Sequence, residues 1–278
     1  MKRMMCLFVA ALMLCACAMA EDASIGIIGG ADGPTAIYVA PGADAEVVGI
    51  VGEVESAEVP QEVAADEPDE ALPLAGVSIG LDPGHQAHAN SELEPMAPGS
   101  SEMKAKVSSG TQGVSTGIPE YVTNLEVAFK LRDALEALGA TVYMTRETHD
   151  VDISNMERAL MFNELGVDLV LRLHCNGSNN SGTNGVGTYA RKTGDCQAEC
   201  ERAANLVIEA ICAATGARRD GVFLWDTYTG QNWSTVPCIM VEMGYMSNPE
   251  EDRKLNDPAY QDLMVEGMVN GICEYFAG

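Results

Sequence analysis

Three apolar segments of this 278-residue sequence each run into a side chain that can bind a metal ion or move a proton. The side chains are His85, His174 and Glu242, and they follow the segments 77–81, 168–173 and 238–241. Glu120 is a fourth candidate, because it stands in the first turn of a predicted helix. Two imidazoles and one carboxylate form a common catalytic zinc set with a position left for water, and a second carboxylate can accept a proton. These residue types indicate a metal-dependent hydrolase.

The pattern of apolar residues predicts an α/β domain that would bring these four side chains together. Leucines and alanines recur at helical spacing after Glu120, and another short apolar run follows at 141–145. We therefore expect a single three-layer domain, with a mostly parallel twisted sheet flanked by helices. Ligands of such sheets bind at the carboxyl ends of the strands, so the strand-end residues are expected at one edge.

Helix starts are marked by residues whose side chains can accept hydrogen bonds from free backbone N–H groups. The predicted capping residues are Ser154, Asp195, Asn248 and Asp257, the last two each followed by proline. Ser154 is followed three residues later by Glu157, which is the spacing of a capping box. We expect Arg158, one residue further on, to pair with a neighbour on the same helix.

Six short motifs, in this order, resemble the zinc-dependent N-acetylmuramoyl-L-alanine amidases of bacterial cell-wall metabolism, the type 3 amidase domain. They are LDPGH at 81–85, Glu120 with NL at 124–125, TRE at 145–147, ERA at 157–159, LHCN at 173–176 and VEMGYMSN at 241–248. The resemblance covers about residues 76–276. It implies that His85, Glu120 and His174 bind Zn²⁺ and that Glu242 is the catalytic base and acid. The implied substrate is peptidoglycan, cut between N-acetylmuramic acid and the L-alanine of the stem peptide.

The interval between the first histidine and the candidate helix is unusually long for such a domain. His85 and Glu120 are 35 residues apart, and we expect residues 86–118, called the insertion below, to form a lip or lid over the substrate cleft. His88, within the insertion, is expected to be exposed and without a role. Trp225 and Trp233 either stack on sugar rings or anchor a long loop.

The N-terminal sequence predicts export from the cytoplasm. Lys2 and Arg3 precede an apolar run at 7–14, and small residues follow at 18–20, which is typical of a signal peptide over residues 1–20. Lipid attachment at Cys17 is the alternative form of processing. Residues 21–75 are acidic and contain glycine and proline, so we predict a disordered linker, followed by a catalytic domain over 76–278.

The charge balance excludes one class of partner. The chain has 16 Lys and Arg against 41 Asp and Glu, a formal charge of −25, and none of the basic residues lies between Arg3 and Lys104. Such a field repels nucleic acid. We expect a monomer with no transmembrane segment in the mature form, located in the cell wall or periplasm.

Two questions stay open at this point. Six of the nine cysteines remain once the signal peptide is removed, and they either form disulfides or serve as small core residues. The function also has alternatives. A non-catalytic wall-binding or regulatory module could keep the same fold, and a zinc peptidase could use the same chemistry inside the stem peptide.

Overall fold

The computed structural model describes residues 25–30, 33–39 and 72–278. The chain divides into two compact units, Met1–Ala65 and Asp66–Gly278. In the first unit, strands β1 (Ile25–Gly30) and β2 (Gly33–Val39) pair in antiparallel fashion, within the segment for which we predict a linker. The predicted signal peptide, Cys17 included, lies outside the described residues.

The second unit contains eight strands and six helices among its described residues. In chain order they are β3 (Ser78–Pro83), β4 (Asn90–Pro95), β5 (Met103–Val107), α1 (Glu120–Ala137), β6 (Thr141–Met144), α2 (Asn155–Leu165), β7 (Leu169–Asn176), β8 (Val186–Ala190), α3 (Gln197–Thr215), β9 (Arg219–Leu224), α4 (Thr229–Trp233), β10 (Cys238–Tyr245), α5 (Pro249–Leu255) and α6 (Pro258–Ala277). Six strands form one sheet in the order β6-β3-β7-β10-β8-β9. The first four are parallel, and β8 runs antiparallel to β10 and parallel to β9. The predicted fold class is confirmed.

The sheet separates a larger hydrophobic core from a smaller one, because alternate side chains of a strand point to opposite faces. Leu169, Leu171 and Leu173 of β7 belong to the larger core, which also contains residues of α1, α3 and α6. Val170 packs with Phe162 of α2 in the smaller core. Leu74 is fully buried in the larger core, so the compact fold includes residues before the predicted boundary at 76.

Three of the four predicted helix caps are confirmed. Ser154 and Glu157 form the capping box of α2, and Asn248 and Asp257 accept hydrogen bonds from the first turns of α5 and α6. The prediction for Asp195 is wrong, because the backbone carbonyl of Gly194 accepts the hydrogen bond from Gln197, the first residue of α3. None of the helices within the described ranges has the length and apolar character needed to cross a bilayer.

The insertion contains an antiparallel hairpin of β4 and β5 that is fixed to the body of the domain. Asn155 of α2 donates a 2.7 Å hydrogen bond to the carbonyl of Lys106, and the indole Nε1 of Trp233 donates a 2.8 Å bond to the carbonyl of Pro95. Trp233 therefore anchors a loop. Trp225, in contrast, keeps 44% of its surface exposed, and His88 is exposed as expected.

All six cysteines of the second unit are free thiols, of which Cys175, Cys200 and Cys238 are buried. Burial raises the pKa of the Cys238 thiol to about 12, so this side chain stays protonated and uncharged. The structure agrees with the interpretation of these cysteines as small apolar residues of the core.

Candidate metal centre and catalytic cleft

The four candidate residues lie at the carboxyl edge of the sheet, where parallel strands end together. His85 follows β3, His174 and Glu242 lie in the second halves of β7 and β10, and Glu120 is the first residue of α1. In the parallel pairing of β7 and β10, Glu242 stands directly opposite His174. The topology thus brings together residues that are up to 157 positions apart in the sequence.

Three of these side chains, called the metal cluster below, bring one ligand atom each to a common point. His85 Nε2 and His174 Nδ1 each lie 3.2 Å from Glu120 Oε1, and the two nitrogen atoms lie 3.2 Å from each other. Ligands of a tetrahedral zinc ion with bonds of about 2.0 Å are separated by about 3.3 Å. The donor types and their separations therefore fit Zn²⁺.

A backbone carbonyl fixes the orientation of the His85 ring. Nδ1 of His85 lies 2.9 Å from the carbonyl oxygen of Ser108, an atom that can only accept, so Nδ1 carries a proton and Nε2 is the nitrogen turned toward Glu120 and His174. The backbone of His85 has a φ angle of 61°, in the left-handed region that few residues other than glycine adopt. This conformation costs about 1–3 kcal/mol and points to a functional position.

Glu120 is buried, and its carboxylate is held from both sides. The backbone N–H of Thr111 donates to Oε2 at 2.8 Å and that of Cys175 donates to Oε1 at 3.0 Å. Burial alone would raise the pKa of Glu120, but hydrogen bonds from His174 and His85 hold it well below its ordinary value. Glu120 is therefore ionised, which is the form that binds a cation.

His174 lies in a space that only a glycine leaves open. A Cβ atom on Gly84 would come within 2.3 Å of two atoms of the His174 ring, so any larger residue there displaces the imidazole. Burial lowers the pKa of His174 to about 4, and the neutral ring is the form that binds metals. Its Nε2 atom is buried and has no hydrogen-bond partner among the described residues.

Glu242 lines the same cleft as the metal cluster. Its Oε2 atom is buried and has no hydrogen-bond partner among the described residues. Burial, together with the nearby charge of Glu120, raises the pKa of Glu242 well above its ordinary value. A carboxyl group with a raised pKa can both accept and return a proton near neutral pH.

A cleft of about 340 Å³ connects the metal cluster, Glu242 and residues of the insertion. The insertion contributes Lys104, Ala105, Ser108, Gly110 and Thr111 to its lining, and the start of α4 with the two residues before it contributes Thr227, Tyr228 and Thr229. The residues predicted to form a lip thus line the cleft beside the metal cluster. Tyr228 also stacks on the exposed Trp225, with an angle of 15° between their rings.

A buried ion-pair network behind the cleft was not predicted from the sequence. Asp82, three residues before His85, accepts a 2.7 Å hydrogen bond from Arg158 and a 2.8 Å bond from Arg172, and all three side chains are buried. Arg158 also donates to the carbonyl of His85 at 3.1 Å. The expected pairing of Arg158 within its own helix is wrong, because its guanidinium points to β3 and the turn that carries His85.

Arg146 supports the same turn from another side. Its guanidinium donates to the carbonyl oxygens of Pro83 at 2.9 Å, Gly84 at 3.1 Å and Tyr121 at 2.8 Å. Polar contacts inside the domain thus fix both the turn after β3 and the start of α1. The only sign of these contacts in the sequence is that Arg146 and Arg158 belong to two of the motifs that resemble the type 3 amidase domain, TRE at 145–147 and ERA at 157–159.

Known proteins with this sequence pattern and fold belong to one family. Residues 79–274, well over half of the chain, match the sequence model of the N-acetylmuramoyl-L-alanine amidases. The germination-specific N-acetylmuramoyl-L-alanine amidase of Bacillus subtilis is 28% identical over 223 residues, which cover 74% of this chain and 82% of that protein. A probable cell wall amidase of Staphylococcus aureus is 28% identical over 216 residues, which cover 78% of this chain and 64% of that protein, slightly less than two thirds.

Solved structures agree with this assignment. The N-acetylmuramyl-L-alanine amidase of Mycobacterium smegmatis has the same fold, with a TM-score of 0.68 at 23% identity over 73% of this chain and 98% of that chain. The amidase catalytic domain from Bacillus (Paenibacillus) polymyxa var. colistinus has a TM-score of 0.60 at 25% identity, over 72% of this chain and 98% of that one. The chain therefore belongs to the N-acetylmuramoyl-L-alanine amidase family, whose activity is the hydrolysis of an amide bond in peptidoglycan.

Proposed function

We propose that this chain is a zinc-dependent hydrolase that cuts the amide bond between N-acetylmuramic acid and the L-alanine of the stem peptide. The observation that carries the proposal is the convergence of three ligand atoms within 3.2 Å of one another, in one cleft with Glu242, whose Oε2 atom has no hydrogen-bond partner among the described residues. Family membership supports the substrate class.

His85 Nε2, Glu120 Oε1 and His174 Nδ1 would hold the zinc ion. When bound, zinc lowers the pKa of a water molecule from about 16 to about 7 and polarises a carbonyl oxygen. The protein contributes the orientation of its ligands. Ser108 and Gly84 determine how the two imidazoles are placed, and Thr111 and Cys175 hold the carboxylate of Glu120.

Glu242 would move the proton. Its carboxylate accepts a proton from the water that attacks the amide carbonyl, and its carboxyl group then donates that proton to the amine of the departing L-alanine. An amide nitrogen is a poor leaving group unless it is protonated, so both halves of this transfer are needed. The raised pKa of Glu242 suits a group that must hold the proton between the two steps.

The place of action would be outside the cytoplasm. Residues 1–20 would direct export and be removed, residues 21–75 would link the N-terminus to the catalytic domain, and residues 76–278 would carry the activity. The names of the curated relatives include a cell wall amidase, and peptidoglycan is an extracytoplasmic substrate. Export from the cytoplasm would place the cleft and the substrate in the same compartment.

Digestion of purified peptidoglycan with the mature protein tests the function. We expect new free amino termini of L-alanine and release of intact stem peptides. Cleavage within the stem peptide would identify a zinc peptidase instead. Co-sedimentation with the wall without any cleavage would identify a binding or regulatory module.

A further inference from the structure

We infer that Lys104 binds a carboxylate of the stem peptide and makes the enzyme selective for substrates that carry a free carboxylate close to the bond that is cut. The inference rests on the proposed function, because it places this carboxylate relative to the amide bond beside the metal cluster. Nothing in the chemistry of hydrolysis itself requires an ammonium group at this position.

Lys104 lines the cleft and contacts the segment that precedes α4. It belongs to β5 of the insertion, and its Nζ atom donates a 2.5 Å hydrogen bond to the carbonyl of Thr227, in the segment that leads into α4. Both residues line the cleft that contains the metal cluster. An ammonium group has three N–H donors, so two donors of Lys104 remain after the bond to Thr227.

Lys104 has no carboxylate partner in the part of the chain that the structure describes. Two neighbouring cations have carboxylate partners, since Lys106 contacts Glu92 at 2.7 Å and Arg172 contacts Asp82 at 2.8 Å. Within residues 72–278, no carboxylate oxygen lies within 4.0 Å of the Lys104 ammonium. In a chain of formal charge −25, an unpaired cation in the cleft indicates that an anion from outside completes the pair.

The acidic residue opposite Lys104 across the hairpin is engaged elsewhere. Glu94 stands opposite Lys104 in the pairing of β4 and β5. Its carboxylate oxygens instead accept hydrogen bonds from the backbone N–H of Met156, at 3.2 Å and 3.3 Å, and the residue is buried. Glu94 is thus held at the start of α2 and does not pair with Lys104.

The shared cleft limits which substrate carboxylate can reach Lys104. Lys104 and the metal cluster line the same space, and each further residue of an extended peptide adds about 3.3–3.6 Å. The carboxyl group of the L-alanine is bonded to the next residue, so the first free carboxylate beyond the cut bond is one on the second residue of the stem peptide.

The test compares two soluble muramoyl peptides that differ at one group. One carries a glutamate with a free α-carboxylate as the second residue of the stem, and the other carries the same residue as its carboxamide. We expect wild-type kcat/KM to favour the acid by about 10-fold to 100-fold, the range typical of a hydrogen bond to a charged group. Lys104→Gln should reduce this ratio to about 1, and Lys104→Arg should restore most of it.

Lys106→Gln is the matched control, because Lys106 lies two residues away on the same strand and is paired with Glu92. It should leave the ratio at the wild-type value. A general loss of folding or activity lowers both kcat/KM values and leaves their ratio unchanged, so the ratio reports on the carboxylate alone. Hydrolysis of both substrates with equal kcat/KM by the wild type, or an unchanged ratio in Lys104→Gln, would overturn the inference. Failure of the wild type to hydrolyse either substrate would instead overturn the proposed function, and the role of Lys104 with it.

Discussion

Two clusters of charged and titratable side chains meet at the end of β3, one around Asp82 and the other around His85, three residues further on. They differ in how many of their polar atoms have hydrogen-bond or ion-pair partners. Behind the turn, Asp82 is satisfied by Arg158 and Arg172. In front of it, in the cleft, His174 Nε2 and Glu242 Oε2 are buried without partners among the described residues. One strand end therefore carries both a closed network and an open site.

The difference shows how the domain supports chemistry at this edge of the sheet. Buried charges are expensive unless they are paired, so a fully paired network can act as a rigid support. Buried polar groups without partners cost stability and persist where a ligand or a reaction uses them. Mutations in the two clusters should therefore separate cleanly, with loss of stability behind the turn and loss of activity in front of it.

Glu242→Gln should have the largest effect on activity. We expect kcat on peptidoglycan to fall by about 100-fold to 10,000-fold, because the amide cannot accept and return the proton. Zinc content and the melting temperature should remain close to those of the wild type, since no hydrogen bond of the Glu242 Oε2 atom is lost. Activity assays, metal analysis and thermal unfolding of the same preparation measure all three. Wild-type turnover in this variant would exclude Glu242 as the base.

Asp82→Asn should have the largest effect on stability. The substitution leaves two buried guanidinium groups without their counter-charge, so we expect the free energy of unfolding to drop by about 3–5 kcal/mol. Asp133→Asn is the control, because Asp133 pairs with Arg132 on the exposed surface of α1 and such pairs contribute less than about 1 kcal/mol. Urea unfolding measures both. Equal losses in the two variants would contradict a supporting role for the network.

Gly84 is not a member of the metal cluster, but Gly84→Ala should still reduce the affinity for zinc. The added Cβ would meet the His174 ring at 2.2 Å, so the imidazole must move, and we expect zinc affinity to fall by about 10-fold to 100-fold. Gly182→Ala is the control, since its Cβ would approach only the Asn180 side chain, at 3.3 Å. Competition with a zinc-binding dye measures both affinities. An unchanged affinity in Gly84→Ala would show that Gly84 does not position His174.

Acidic pH should weaken the ion-pair network around Asp82, and the resulting loss of stability should be smaller than that caused by Asp82→Asn. Burial alone would raise the pKa of Asp82, but Arg158 and Arg172 hold it far below its ordinary value. The stabilisation is therefore complete above the unfolded-state pKa of about 3.9 and is lost as pH falls below it. The difference in unfolding free energy between wild type and Asp82→Asn should shrink by about 1 kcal/mol from pH 4 to pH 3. A constant difference over this range would argue against a depressed pKa.

The sequence predicts the open site better than the network that supports it. His85, His174 and Glu242 are recognisable because each follows an apolar strand, and parallel strands bring their carboxyl ends to one edge. The pairing of Asp82 with Arg158 and Arg172 joins residues 76 and 90 positions apart. No local pattern indicates such a contact, because an arginine on a helix can equally pair with its helical neighbours.

Parts of the fold were missed for a related reason. β8 and β9 are short, and the stretch Val186–Ala190 contains a glycine and two polar residues in five, which gives no strand periodicity. β8 is a strand because pairing with β10 satisfies its backbone groups and buries every one of its residues, and β9 pairs in turn with β8. The hairpin of the insertion was missed likewise, since the predicted lip is a polar stretch that owes its order to contacts with α2 and α4.

Zinc analysis of the purified protein, coupled to hydrolysis of peptidoglycan, tests the central claim most directly. We expect about one zinc ion per chain, simultaneous loss of zinc and hydrolysis on treatment with a chelator, and recovery of both when zinc is added back. His174→Ala should bind zinc weakly and remain inactive after the same treatment. Full hydrolysis by protein that contains no divalent metal would contradict the assignment of His85, Glu120 and His174 as the ligands of a catalytic ion.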